Sequence, residues 1–252
     1  MSMSRRKLIA SGLAAAAGAG GLAAVARWAE AGGLIPPDHQ GLYGVGETLT
    51  YASQRLLMGS ETMAREFTRA DITRVELPVN GRPPRHEVYQ ALLKDGFRDW
   101  RLQVDGLVAR PTSFSLDELK AMPAHTQITH QACEEGWSFI AEWTGVRLSH
   151  VLDLVGAEPR ARFVVLMPFD AFWESIDMAD ALHAQTFLAY GMNGPEIPTA
   201  HGAPVRLRVA RQLGYKSIKY LSRVTVTDSL KPFGKGVGGI NAEEGYSWWA
   251  GI

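Results

Sequence analysis

Between residues 97 and 230 the apolar positions fall into short, well-punctuated runs. Trp100, Leu102 and Val104 alternate with Arg101 and Gln103 and lead into Asp105-Gly106, which predicts a half-buried strand entering a tight turn. Ser115-Leu116-Asp117-Glu118 is a capping box, with Phe114 and Leu119 placed as a hydrophobic staple, and Pro123 stops the short helix that follows. Leu148, Val151, Leu152 and Val155 repeat with helical spacing, and Gly156 ends that helix. Phe163 to Met167 is a continuous apolar run, which predicts a buried strand. Glu174 to Met178 reads as a strand leading into a helix through Ala184, and Phe187 to Tyr190 as a strand before the hairpin-type pair Asn193-Gly194. Val205, Leu207 and Val209 alternate with Arg206 and Arg208, so the plain reading puts both arginines on an exposed strand face. Ser222 to Thr227 predicts the last strand.

The pattern is weaker toward the termini. Leu49 to Phe67 reads as a helix with irregular apolar spacing, Asn80-Gly81-Arg82-Pro83-Pro84 as a turn cluster, and Glu87 to Leu93 as a short helix. Pro36-Pro37 marks a linker. The tail from Lys231 is glycine-rich and then aromatic, which predicts a packed C-terminal arm; its Gly234-Lys235-Gly236 lacks the flanking residues of a phosphate-binding loop. No internal repeat is visible. With 26 glycines and short helical runs in 252 residues, a mainly β chain with short helices is expected.

Charge and cysteine content narrow the function classes. Lys+Arg and Asp+Glu both number 26, so the chain lacks the basic excess of a nucleic-acid binder. A single cysteine, Cys133, excludes an intramolecular disulfide. A lone cysteine is ordinarily a small buried hydrophobe, but Cys133 stands in the polar, turn-like stretch Thr129-His130-Gln131-Ala132-Cys133-Glu134-Glu135-Gly136-Trp137. A thiolate there suits either a nucleophile, with His130 as the nearby base, or a soft-metal ligand.

The N-terminus carries its own signal. Ser4-Arg5-Arg6-Lys7-Leu8-Ile9 is a twin-arginine start, Leu8 to Ala26 runs without a charge, and Ala24-Val25-Ala26 is a small-x-small cleavage candidate. These features predict export by the twin-arginine route to a periplasmic or other extracytoplasmic location. That route carries folded proteins, so it points to a cofactor inserted before export.

Two stretches in order resemble a known family. One is Cys133-Glu134-Glu135-Gly136-Trp137 followed by Trp143-Thr144-Gly145-Val146-Arg147-Leu148. The other runs Tyr190-Gly191-Met192-Asn193-Gly194, His201-Gly202-Ala203-Pro204-Val205-Arg206-Leu207 and Gly214-Tyr215-Lys216-Ser217-Ile218-Lys219. Together they resemble the sulfite-oxidase-like molybdopterin oxidoreductases, and within them the bacterial branch that includes the periplasmic protein-methionine-sulfoxide reductase catalytic subunit. The resemblance implies an α+β fold with a mixed, partly barrel-like sheet and short helices. It covers roughly residues 70–230, the expected catalytic domain; the residues before and after read as a signal at 1–26, an N-terminal extension at 27–69 and the arm at 231–252. It also implies a molybdenum-molybdopterin cofactor with Cys133 as the metal's protein ligand. Arg206, Lys219 and the Ser217-Ile218 backbone match phosphate-holding positions. His201 stands where the reductase branch often has Asn, Asn80 matches an N-terminal pterin contact, and Phe169 and Asp170 fall near another.

The implied activity is two-electron oxygen-atom transfer on a sulfur or nitrogen oxide, small or protein-bound. The alternatives are sulfite oxidation by the same centre and a cofactor-less binding domain. With no Cys-x-x-Cys-His haem motif in the chain, electrons would pass through a separate protein such as a membrane cytochrome b. Ala132 and Glu134 depart from the family pattern. No arginine lies within twelve residues of Cys133, so the acidic Glu134 argues against an anionic substrate.

Overall fold

The computed structural model describes residues 45–194 and 196–252, together with Ala24 and Leu34. The twin-arginine start and the Pro36-Pro37 linker lie outside the described residues. The chain forms a mixed α+β fold of two sheets, one of them curled into a half-barrel, with few short helices. Among the described residues no helix is long and apolar enough to cross a membrane.

The first sheet has five strands: β1 (Arg101–Gly106), β2 (Thr112–Ser115), β5 (Phe163–Pro168), β6 (Glu174–Asp177) and β9 (Leu221–Thr227), in the order β2-β1-β9-β5-β6. Its only parallel pair is β1 with β9, which registers Val104 opposite Val224. The second sheet holds β3 (Ala124–Ala132), β4 (Ser138–Arg147), β7 (Thr186–Met192) and β8 (Arg206–Val209) in that order, all antiparallel. The helices are α1 (Val45–Leu57), α2 (Glu87–Lys94), α3 (Leu116–Ala121), α4 (Leu148–Val155), α5 (Met178–Leu182) and α6 (Ile240–Glu243).

The main core lies between the sheets. The apolar alternation of β1, the stripe Leu148, Val151, Leu152 and Val155 of α4, and Val164, Leu166, Leu207, Val224 and Val226 all enter it. Helix α3 starts at the capping box: Ser115 Oγ accepts from the Glu118 amide at 3.1 Å, and Glu118 returns a carboxylate to the Ser115 amide at 2.7 Å. Helix α4 ends on Gly156 in the left-handed region, at φ 68°. Between Thr144 and Gly145 the β4–β7 register shifts. A Cβ at Gly145 would stand 2.1 Å from the Leu188 carbonyl, so only glycine admits this close strand approach.

Three elements differ from the sequence pattern. The Leu49–Phe67 helix stops at Leu57, because the next carbonyls are claimed from across the fold: Arg211 donates to Met58, Gly59 and Ser60. Residues beyond run extended along the β3 edge, where the Phe67 amide donates to Ile128 O at 2.9 Å. The helix expected to run through Ala184 closes at Leu182. Strand β8 alternates in sequence, yet all four of its residues are buried, Arg206 and Arg208 included, because its second face is also covered.

The C-terminal arm packs in a second cluster with Tyr51, Phe163, Val165, Trp248 and Trp249. Trp248 donates to Ser175 Oγ at 2.9 Å, and Trp249 to Asp180. A buried ion pair ties the arm to the loop after β8. Lys216 Nζ lies 2.7 Å from Glu174 Oε2, with side chains 1% and 0% exposed, and Glu174 Oε1 accepts from both the amide and the side chain of Asn241.

Candidate active site

Strand β3 determines which side chains reach the site. Gln127, Thr129 and Gln131 are buried on one face, and Cys133 continues that parity one residue past the strand. The chain then reverses. The Cys133 amide donates to Trp137 O at 2.9 Å, the Gly136 amide to Cys133 O at 3.1 Å, and Gly136 takes φ +90°. The thiol therefore sits on the inner side of a β3–β4 hairpin tip.

The sulfur is held in a mixed environment. Burial, then hydrogen bonding and repulsion from Glu134, push the Cys133 thiol up to about 11, against hydrogen bonds from the Glu135 amide and the Asn80 side chain. The thiol donates to Glu134 Oε2 at 3.3 Å. Such a group is protonated at neutral pH, which does not suit a nucleophile. His130 has the opposite parity on β3, does not line the cavity described below, and is held below its usual range by burial and by Arg208. The Cys133–His130 pair is therefore not assembled.

Arg206 and Lys219 line the same cavity as the sulfur, and Arg208 lies buried behind it. Arg206 donates to His201 O at 2.9 Å and to Ser217 O at 2.6 Å, and its guanidinium lies 5.1 Å from the Trp143 ring. Arg208 donates to Thr129 Oγ1 at 3.1 Å and to His130 O at 2.6 Å, fixing the strand that carries Cys133. Lys219 donates to the carbonyls of Asn80 and Ala200. Among the described residues, none of the three is paired with a carboxylate.

Their titration reflects this isolation. Burial pulls Arg206 down to about 10 and, with Arg206 beside it, Arg208 to about 9. Burial and Arg206 bring Lys219 to about 8, opposed by Asp170 and Cys133. His201 falls to about 4 through burial, Arg206 and Lys219, so it is neutral at physiological pH. The backbone amides of Ile218 and Lys219 make no hydrogen bond among the described residues. Gly202, at φ +113°, lets Lys219 pass; a Cβ there would lie 2.8 Å from Lys219 Cβ.

A cavity of about 290 Å³ joins the two halves. Of the residues expected from the sequence, Cys133, Asn80, Asp170, His201, Arg206, Ser217, Ile218 and Lys219 all line it. Phe169 does not. It packs on the main core with its ring 5.6 Å from that of Tyr89, so the chain turns into the cavity only at Asp170. Sequence reasoning passed over Arg82, Gln131, Trp137, Gly214 and Tyr215, which also line the wall. Arg82 stood in view within the turn cluster. Gly214 and Tyr215 stood in the motif before Lys216, and a Cβ at Gly214 would stand 2.4 Å from Gln131 Nε2.

The donor set fits the implied cofactor. Cations without carboxylate partners, free amides and a neutral histidine suit a phosphate, and the lone cysteine sulfur in the same cavity suits a soft metal. Among the described residues no group of three or more His, Cys, Asp or Glu could hold a metal ion by itself.

Comparison with known proteins shows what the chain is similar to. A relative from Azospira oryzae, provisionally named protein-methionine-sulfoxide reductase subunit YedZ1, is 41% identical over 152 residues, covering 60% of this chain and 56% of its own. The protein-methionine-sulfoxide reductase catalytic subunit MsrP of Xanthomonas campestris pv. campestris is 35% identical over 147 residues, covering 52% of this chain and 46% of its own. The chain thus spans about half the length of these curated relatives. Among solved structures, the sulfane dehydrogenase SoxCD of Paracoccus pantotrophus shares the fold, with a TM-score of 0.51 and 24% identity over 58% of this chain and 40% of that one. The model of the oxidoreductase molybdopterin binding domain matches residues 89–232, and the chain belongs to that family.

Proposed function

We propose that the protein is a molybdenum-molybdopterin oxidoreductase that transfers an oxygen atom to or from a neutral sulfur or nitrogen oxide, in the manner of a sulfoxide reductase. The observation that carries this reading is the pairing of one buried sulfur with cations lacking carboxylate partners in a single cavity. When bound, the cofactor supplies the two-electron redox chemistry at its metal.

The chain's own residues bind and orient. Cys133 contributes its sulfur as a thiolate, giving up its proton to solvent on loading, so loading is favoured at higher pH. Arg206, Lys219 and the Ile218 and Lys219 amides hold the phosphate, and Asn80 and the Glu135 amide steady the sulfur by hydrogen bonds. Arg208 fixes β3 from behind through Thr129 and His130. Trp137, Phe139 and Tyr215 give the cavity apolar walls that limit water.

The charged groups at the wall bear on substrate charge. Glu134 lies 3.3 Å from the sulfur, which disfavours an anion such as sulfite beside it relative to a neutral sulfoxide, while Arg82 on the same wall acts in the opposite sense. The reductase names of the curated relatives support the same substrate class. A separate electron carrier, such as a membrane cytochrome b, completes the reaction, and the twin-arginine start supports a periplasmic location.

The test is molybdenum content and the Mo(V) paramagnetic resonance spectrum of protein made in a cofactor-competent host, followed by assay of methionine sulfoxide reduction against sulfite oxidation. Absence of molybdenum refutes the cofactor assignment. Faster turnover of sulfite refutes the substrate assignment.

A further inference from the structure

Gln131 is buried to 4% exposure on the same strand face as Cys133, two residues before it. Its carbonyl oxygen is buried without a hydrogen-bond partner, and its amide as a whole makes no hydrogen bond among the described residues. Other buried side-chain atoms in the described residues are also orphaned, but Gln131 is the one residue among them that lines this cavity. The Trp143 ring, for comparison, is faced by the Arg206 and Arg208 guanidinium groups, and Gln127 is anchored by its nitrogen to Gln185 O at 3.4 Å.

A buried primary amide left unpaired is unfavourable, and folded proteins rarely keep one without a reason. The surroundings supply the reason. Gly214 comes so close to Gln131 Nε2 that a Cβ would stand 2.4 Å away, so the loop carrying Ser217, Ile218 and Lys219 is pressed against this amide. Gln131 therefore lines the cavity beside Cys133, two residues on, and beside the loop that leads to Ser217, Ile218 and Lys219. A ligand reaching from one to the other passes it with its organic body. An amide offers a donor and an acceptor side by side, which matches a heterocycle carrying ring N–H and carbonyl or ring-nitrogen groups.

We propose that Gln131 is a cofactor-binding residue whose unpaired amide hydrogen-bonds the nitrogen-rich organic body of the cofactor. This rests on the molybdopterin reading above. It differs from a structural role for Gln131 in one measurable respect. An amide that is unpaired in the empty protein contributes nothing to the stability of that state, so replacing it by an apolar side chain of similar shape leaves the empty protein as stable or more so.

The experiment compares the parent with Gln131→Met and, as a second apolar replacement, Gln131→Leu. Each is made in a cofactor-competent host and in one unable to make the cofactor. Melting temperature is read on the empty proteins, and molybdenum and pterin per chain, with the rate of pterin release, on the loaded ones. The expected result is an unchanged or raised melting temperature in the empty variants, with pterin release about tenfold faster, as loss of one ligand hydrogen bond predicts. Release at the parental rate overturns the assignment of Gln131, as does a melting temperature of both empty variants that falls below the parent's. A parent that carries no molybdenum at all marks failure of the cofactor reading itself, a result separable from the other two.

Discussion

The buried pair Lys216–Glu174 offers a sharp test of how the C-terminal arm supports the site. Lys216→Met removes the ammonium and leaves Glu174 fully buried, facing only the amide and side chain of Asn241. Burial already pulls Lys216 below its usual range despite Glu174, so the intact pair adds little net stability. The large cost comes from orphaning the carboxylate, about 3–5 kcal/mol for a pair this dry. In a chain of this size that corresponds to a fall in melting temperature of roughly 6–20 °C.

The double variant Lys216→Met/Glu174→Gln removes both charges and keeps an acceptor for Asn241, so most of the loss should return. Thermal and urea unfolding of the empty single and double variants measure this directly. Because Lys216 immediately precedes Ser217, Ile218 and Lys219, the single variant should also release cofactor faster than the double. A loss under about 1 kcal/mol in the single variant, or no recovery in the double, would refute the reasoning.

Three further outcomes are expected. Cys133→Ser should abolish molybdenum retention and turnover while the empty protein stays within about 1 kcal/mol of the parent, read by elemental analysis and urea unfolding. Gly214→Ala should destabilise the empty protein by about 1–3 kcal/mol and speed cofactor release, since its methyl meets Gln131 Nε2 at 2.4 Å and Ala132 O at 3.0 Å. For His201 the folded value of about 4 lies below the ordinary 6.5, so the unfolded chain takes up the proton first. Stability from this group is present above about pH 6.5 and lost as pH falls toward about 4. Unfolding of the parent against His201→Gln across that range should therefore show the parent losing ground only below about pH 6.5.

The sequence revealed elements whose pattern is set locally. The alternation around Leu102, the capping box at Ser115 and the stripe from Leu148 to Val155 each encode their own element, and each formed where expected. It failed where distant parts of the chain decide. Leu57 ends a helix because Arg211 takes the carbonyls beyond it, and nothing near Leu57 announces that. Arg206 and Arg208 alternate like surface residues, but their burial depends on what covers the second face of β8. The cavity residues at Cys133, His201 and 217–219 were legible through motif order. Phe169 fell one position short of the wall, since order does not report which way a side chain turns. Gln131 was invisible as a binding residue because the lack of a partner is a property of the fold, not of a glutamine.

The cavity's anchors Asn80, Cys133, Arg206 and Lys219 come from separate stretches of the chain, no two of them on the same strand. A ribosome releases Lys219 last among them, so a half-made chain owns the sulfur but not the cations. Loading must wait for a finished polypeptide, and whatever delivers the cofactor meets a shape rather than a peptide.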